Sequence, residues 1–343
     1  MDLNSSMMAQ REYDESDARI RPPRSTRPRS KDRPDYSDAL QALVTTVDRG
    51  RQTCISDEGR IITAMRAREL GPKSVVVGDL VSLVGDVTGS EGSLARIVAV
   101  QERRNSLSRT VDDDAKVERT IVANIDQLLI VVASANPEPR RGLIDRFLVS
   151  AFHESIKPII IVTKVDVSPV PEFIQEYKAL GVDIITTSSK TESRTQDIAA
   201  ILDILDDKIS VLVGHSGVGK STLINDLVPN SDRMTGDVND VTGRGRHTSS
   251  SAIALPLENG GWIIDTPGIR AFGLSHLNKD RIIESFPDIY QVTQTCMPNC
   301  SHHEISCSLN PWIESDPALQ VERLRRVSSL RSLLEVKLAE DEG

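Results

Sequence analysis

"ISVLVGHSGVGKSTLINDLV" occupies residues 209–228, and its reading decides the fold. "ISVLV" is an apolar strand, and "STLINDLV" can open a helix directly after the loop. Between them, Gly214, Gly219, Lys220 and Ser221 match G-x-x-x-x-G-K-[ST]. Glycines at those places let the backbone turn so that its N–H groups face phosphate oxygens. Lys220 would neutralise the β- and γ-phosphates, and the Ser221 hydroxyl would ligate magnesium. His215, Ser216, Gly217, Val218 and Thr222 complete the predicted cradle. A glycine-rich turn alone is common; a strand before it, with Lys-Ser and a helix after it, is not.

Three further segments fit the same chemistry. "DTPG" (265–268) follows the apolar "GWIID". There Asp265 can hold magnesium through water, and the Gly268 N–H can reach a γ-phosphate. "TKVD" follows the apolar "PIIIV" and comprises Thr163, Lys164, Val165 and Asp166. Guanine presents two donors on one edge and a carboxylate accepts both, so Asp166 selects GTP. Lys164 would lie along the base or brace the phosphate loop. In "TSSK" (187–190), Ser188, Ser189 and Lys190 can cover the guanine oxygen with a backbone N–H. The order is unusual: the base reader precedes the phosphate loop. From about residue 118 to 290, strands and helices alternate, as in a mostly parallel sheet. "GLIDRFLVSAFHES" and "EFIQEYKAL" read as helices, and "LLIVVAS" and "VDIITTSS" as strands. A sheet whose termini lie close can be joined there and opened elsewhere. The reading is a circularly permuted GTPase domain with GTP and Mg2+ as ligands.

The rest of the chain bounds this reading. Its 343 residues predict two or three domains. The net charge of −9 does not advertise nucleic-acid binding. No long apolar run or secretory core is present, so no membrane contact is expected and a cytoplasmic location is. Residues 1–36, with "RIRPPRSTRPRSKDRP", read as a disordered basic tail. Residues 37–115 alternate polar and apolar positions between glycine breaks, which predicts a five-stranded β-barrel of the oligonucleotide/oligosaccharide-binding (OB) type. Arg49, Arg51, Arg66, Arg68, Arg103 and Arg104 would form an RNA-facing rim on it. Residues 116–290 carry the GTPase motifs, and 291–343 a cysteine cluster and a helix.

In that last segment, "CMPNCSHHEISC" supplies Cys296, Cys300, His302 and Cys307. Three thiolates and one imidazole suit tetrahedral zinc, with no position left for water, hence a structural ion. A helix is expected from about residue 317, with Leu324, Val327, Leu330, Leu334 and Leu338 near one face and Arg323, Arg325, Arg326 and Arg331 along it.

Barrel, permuted GTPase motifs and terminal cysteine/histidine cluster together resemble the RsgA family, the small-ribosomal-subunit biogenesis GTPases. The resemblance covers about residues 40–340. It implies a slow GTPase that binds the small ribosomal subunit and its rRNA and is stimulated by it. It also implies a role late in subunit maturation, including release of assembly factors, and a monomer is expected. The competing reading is an RNA-binding module that holds GTP only as a structural ligand. A zinc-dependent enzyme is disfavoured by the closed ligand set.

Several positions depart from the pattern. Thr163 stands where many GTPases carry Asn, which predicts a weaker clamp on the phosphate loop. "GRGRHTSS" (243–250) matches the family switch, but with Ser249 in place of a threonine, so Thr248 or Ser249 supplies the magnesium hydroxyl. The position after DxxG that usually orients the attacking water is Ile269. His247, next to those hydroxyls, is therefore the predicted catalytic residue, and the resemblance assigns it the same role. Both gaps in the cysteine cluster are one residue shorter than in the family, so His303 could replace His302.

Overall fold

The computed structural model describes residues 36, 38–48, 50–71, 74–110, 118–190, 193–229, 252–266 and 278–341, with the backbone alone for 110, 118 and 336–341. Residues 1–35 of the basic tail, Arg49, Arg244, Arg246, His247, Thr248, Ser249, Gly268 and Ile269 lie outside the described residues.

The first five strands are β1 (Leu40–Asp48), β2 (Arg51–Ser56), β3 (Ile61–Arg66), β4 (Leu80–Gly85) and β5 (Ala95–Val100). Alternate residues point to opposite faces of a strand. Ala42 and Val44, Ile62 and Ala64, Val81 and Leu83, and Ala95 and Ile97 accordingly meet in one buried cluster with Cys54. The strands run in the order β1-β2-β3-β5-β4, and pairing of β4 with β1 closes the barrel. All contacts are antiparallel except β3 with β5, so the predicted OB-type barrel is present.

The arginine rim needs correction. Arg103 is drawn inward: Nε donates to Asp79 Oδ1 at 2.7 Å, and a terminal nitrogen donates to Oδ2 at 2.9 Å. The Asp79 side chain is wholly buried, and a buried carboxylate requires such a partner. Arg104 pairs with Asp126 at 2.8 Å and donates to the Asn124 carbonyl at 3.0 Å. Arg103 therefore pins the end of the barrel segment to the turn before β4, and Arg104 ties it to the next segment, so neither simply lines an open rim.

A hairpin of β6 (Ser106–Thr110) and β7 (Glu118–Ala123) leads into β8 (Gln127–Ala133), β9 (Lys157–Thr163), β10 (Asp183–Thr186), β11 (Ile209–Val213), β12 (Ile253–Pro256) and β13 (Trp262–Asp265). Their spatial order is β10-β9-β8-β11-β13-β12. The first five of these are parallel, and β12 is antiparallel to β13. Helices are α1 (Arg141–His153), α2 (Glu172–Gln175), α3 (Arg194–Ile204), α4 (Lys220–Leu227), α5 (Lys279–Glu284), α6 (Pro287–Thr293), α7 (Leu309–Glu314) and α8 (Gln320–Asp341). Leu128, Ile130 and Val132 of β8 face a layer containing α1, α5 and α8, while Leu129, Val131 and Ala133 face α3 and α4. Burial on both faces explains why this strand is apolar from Leu128 to Ala133.

Two helices depart from expectation. "EFIQEYKAL" is α-helical only through Gln175; Glu176–Leu180 is a 3-10 turn ended by Gly181 at φ 74°. Ile174, Tyr177 and Leu180 are all buried at a strict spacing of three, which a 3-10 turn aligns and an α-helix does not. The Tyr177 hydroxyl also donates to Asp145 Oδ1 of α1 at 2.6 Å. On α8, Val327, Leu330, Leu333 and Leu334 are buried, whereas Leu324 is half exposed. The first turns of α8 are held instead by Arg323, whose guanidinium lies 4.6 Å from the centre of the Trp312 ring. Among the described residues no helix is long and apolar enough to cross a membrane.

Candidate nucleotide site and metal cluster

The carboxyl ends of β10, β9, β8, β11 and β13 lie along one edge of the sheet. The chain lays down β8, β9 and β10 in one direction and then returns to place β11 beside β8. Ligands of open α/β sheets bind at such a switch point. Here a cavity of about 230 Å³ lies between the end of β8, the 137–140 segment and the loop after β11.

Gly214 opens that loop at φ 148°, and a Cβ there would come within 2.2 Å of the Val131 carbonyl oxygen. No other residue fits without moving β8. Lys220, at the start of α4, curls back so that Nζ donates to the carbonyls of Gly214 (2.7 Å) and His215 (3.0 Å). Burial lowers its pKa, with Asp265 opposing the shift. Burial raises the pKa of Asp265, and Lys220 opposes that shift in turn. Thr266, directly after Asp265 in "DTPG", is 2% exposed and donates to the Leu212 carbonyl at 2.7 Å. It pins the end of β13 to the strand that carries the phosphate loop. Sequence reading passed it over, although it sits inside a motif that had been singled out. Ser221 and Thr222 are exposed at the first turn of α4. The Ser221 hydroxyl at the start of α4 and the Asp265 carboxylate at the end of β13 are the hard oxygen donors that magnesium takes.

The base side converges on the same edge. Thr163 Oγ1 donates to the Val218 carbonyl at 2.6 Å, with Val132 O at 3.2 Å. A hydroxyl at the end of β9 therefore does clamp the phosphate loop. Lys164 stands at φ 59° and its Nζ donates to the Gly217 carbonyl at 2.8 Å and to that of Asn136. Of the two roles open to Lys164, this geometry is the brace. Ser134 Oγ holds the Lys164 carbonyl at 2.6 Å. Asp166 is exposed, next to Val165, and accepts from buried Ser188 at 2.5 Å. That hydrogen bond lowers its pKa, which favours the carboxylate. The Lys190 N–H donates to Ser188 Oγ at 3.1 Å.

The second cluster lies between α6 and α7. The ligand atoms of Cys296, Cys300, His302 and Cys307 all fall within 4.8 Å of one another. Three of the separations, Cys296 Sγ to Cys307 Sγ and each of these to His302 Nδ1, are 3.8, 3.7 and 3.7 Å. An ion with metal–sulfur distances near 2.3 Å gives tetrahedral edges of about 3.7 Å, so this donor set fits a tetrahedral metal. Burial lowers the pKa of His302, favouring the neutral ring that can ligate. His302 adopts φ 67°, and its carbonyl is gripped by Arg331 Nε of α8 at 2.7 Å. His303 is turned away, its Nδ1 lying 3.5 Å from Glu335 Oε1. Glu304 accepts from Ser301 N at 2.9 Å and from Cys300 Sγ at 3.1 Å, and these bonds hold its carboxyl at about 2.

Known proteins resemble this chain in sequence and fold. Residues 100–275 match the RsgA GTPase family. The small ribosomal subunit biogenesis GTPase RsgA of Shewanella oneidensis is 35% identical over 271 residues, which is 76% of this chain and 74% of that protein. The protein of the same name from Streptococcus pyogenes serotype M3 is 33% identical over 245 residues, 70% of this chain and 76% of its own. The crystal structure of YjeQ from Thermotoga maritima matches with a TM-score of 0.62 and 26% identity, covering 86% of this chain and 98% of the other. YloQ, a circularly permuted GTPase, matches in fold with a TM-score of 0.60 and 22% identity over 88% and 97% of the two chains. With its barrel, its permuted strand order and its terminal Cys3His cluster, the chain belongs to the RsgA GTPase family of GTP-hydrolysing enzymes.

Proposed function

We propose that this GTPase binds the small ribosomal subunit through its rRNA and hydrolyses GTP late in that subunit's maturation, releasing assembly factors as it does so. The names of the relatives support the ribosomal setting. The observation that carries the nucleotide reading is the meeting of two sets of groups at one sheet edge. Asp166, Ser188 and Lys190 are linked on one side, and Lys220 and Asp265 interact on the other.

In this reading Asp166 accepts from guanine, and a backbone N–H of Ser188–Lys190 covers the base oxygen. Thr163, Lys164 and Val165 shape the loop between base and phosphates. The backbone of Gly214–Gly219, with Lys220, Ser221 and Thr222, cradles the phosphates, and Gly268 meets the γ-phosphate. Ser221, Asp265 and Thr248 or Ser249 would hold magnesium, which neutralises charge on the phosphates. His247 accepts a hydrogen bond from the attacking water and orients it. The Cys3His group holds zinc in a structural role. Residues 1–36, 37–115, 116–290 and 291–343 act as tail, barrel, GTPase domain and zinc module of a cytoplasmic monomer.

The test is GTP hydrolysis with purified small and large subunits added separately. Stimulation by small subunits alone is expected. Equal stimulation by both, or by neither, overturns the assignment.

A further inference from the structure

Two charges in the GTPase domain stand at the wrong ends of their helices. Arg194 is the first residue of α3, where the helix dipole disfavours a cation. Asp226 lies in the last turn of α4, where the dipole disfavours an anion. The two side chains form an ion pair with each other. The same guanidinium donates to the Ser189 carbonyl at 3.1 Å. That carbonyl shares a rigid, planar peptide unit with the Lys190 N–H. The Lys190 N–H in turn donates to Ser188 Oγ, which donates to Asp166.

We propose that Arg194 is a positioning residue for guanine recognition, linking the helix that opens at the phosphate loop to the carboxylate that reads the base. The inference rests on the reading of Asp166 as that carboxylate. Each step has a physical cause. The planar guanidinium has several donors in a fixed fork, so it can hold Asp226 and Ser189 together. Its grip on the Ser189 carbonyl fixes the tilt of the following peptide. That tilt aims the Lys190 N–H at Ser188, and Ser188 then presents its hydroxyl to Asp166. The phosphate-binding and base-reading halves of the site thus share one chain of hydrogen bonds. Their relative placement is set before nucleotide arrives.

The experiment measures dissociation of fluorescent GDP, and competition by GDP against inosine diphosphate, which lacks the amino group that Asp166 reads. For Arg194→Ala, dissociation should quicken about tenfold, the loss expected for a charge-assisted contact, and the preference for GDP should shrink. Arg194→Lys keeps the charge but not the fork and should fall between wild type and Ala; it also serves if the Ala variant folds poorly. Unchanged dissociation and preference in both variants overturn the proposal. So does a lowered melting temperature with the GDP preference intact, since Arg194 would then only stabilise the fold. Asp166→Asn is measured alongside. If it leaves the preference for GDP untouched, the base-reader assignment itself fails and the proposal falls with it. If it abolishes the preference while Arg194→Ala does not, the assignment stands and only the link is wrong.

Discussion

The nucleotide site and the metal cluster are held in place by different means. The nucleotide site is assembled from the ends of five parallel strands, of which the central β9, β8 and β11 are buried on both faces. Its side chains are fixed by hydrogen bonds to backbone carbonyls, such as those of Thr163, Lys164 and Thr266. The metal cluster sits on short helices and turns, with Asn299 and His302 in the left-handed region. Its apolar support comes mainly from Leu309, Ile313 and the buried stripe of α8. In the first region the fold makes the site. In the second, the ligands and their ion are expected to make much of the local fold.

Metal removal should test that contrast most severely. Structural zinc contributes on the order of 10 kcal/mol in small modules. Chelation, or Cys300→Ser, should strip the metal and open residues beyond 290 to proteolysis while GTP still binds, as elemental analysis and limited digestion can establish. The contrast collapses if Cys300→Ser weakens GTP binding as much as Lys220→Ala does.

Within the nucleotide site the largest expected effect is on the base. Asp166→Asn should lower the preference for guanine on the order of a thousandfold and favour xanthosine triphosphate, which a competition assay reads directly. His247→Ala should slow hydrolysis by roughly a hundredfold at little cost in GTP affinity, most visibly with small subunits present. Wild-type stimulated turnover, or failure to bind GTP, removes His247 from its catalytic role. Thr163→Val deletes the hydroxyl held by Val218 and should cost about 1 kcal/mol of GTP affinity, measurable by calorimetry.

The smallest effect concerns pH. The Ser188 hydrogen bond lowers the pKa of Asp166, so its carboxylate stays ionised as pH falls through the ordinary carboxylate range. Ser188→Ala should move that titration upward, and GTP affinity should then fail at a higher pH than in the wild type. An identical acid limb in both proteins would detach Ser188 from the base reader.

Parts of this structure were legible in the sequence because their causes are local. A strand buried on both faces is mostly apolar, so "PIIIV" and "ISVLV" announce themselves. The phosphate loop is legible because close backbone approach demands glycine at fixed places. Arg103 was misread as a surface cation because its partner, Asp79, is 24 residues away and buried only once the barrel closes. Arg194 escaped notice for a similar reason: its contacts depend on which helices become neighbours. In Glu176–Leu180 a spacing of three and a spacing of 3.6 look alike over so few residues, and burial decided between them.

The pairing of Thr46 with Ile253 joins the barrel to the outer strand of the parallel sheet. Through that one register point, eleven strands run as a single sheet. Strand β12 would otherwise present unpaired N–H and C=O groups to solvent, and such borders recruit other chains. The barrel covers that border at Ile253. A protein cut between β5 and β6 would keep its nucleotide motifs and still be prone to aggregate through Ile253–Pro256.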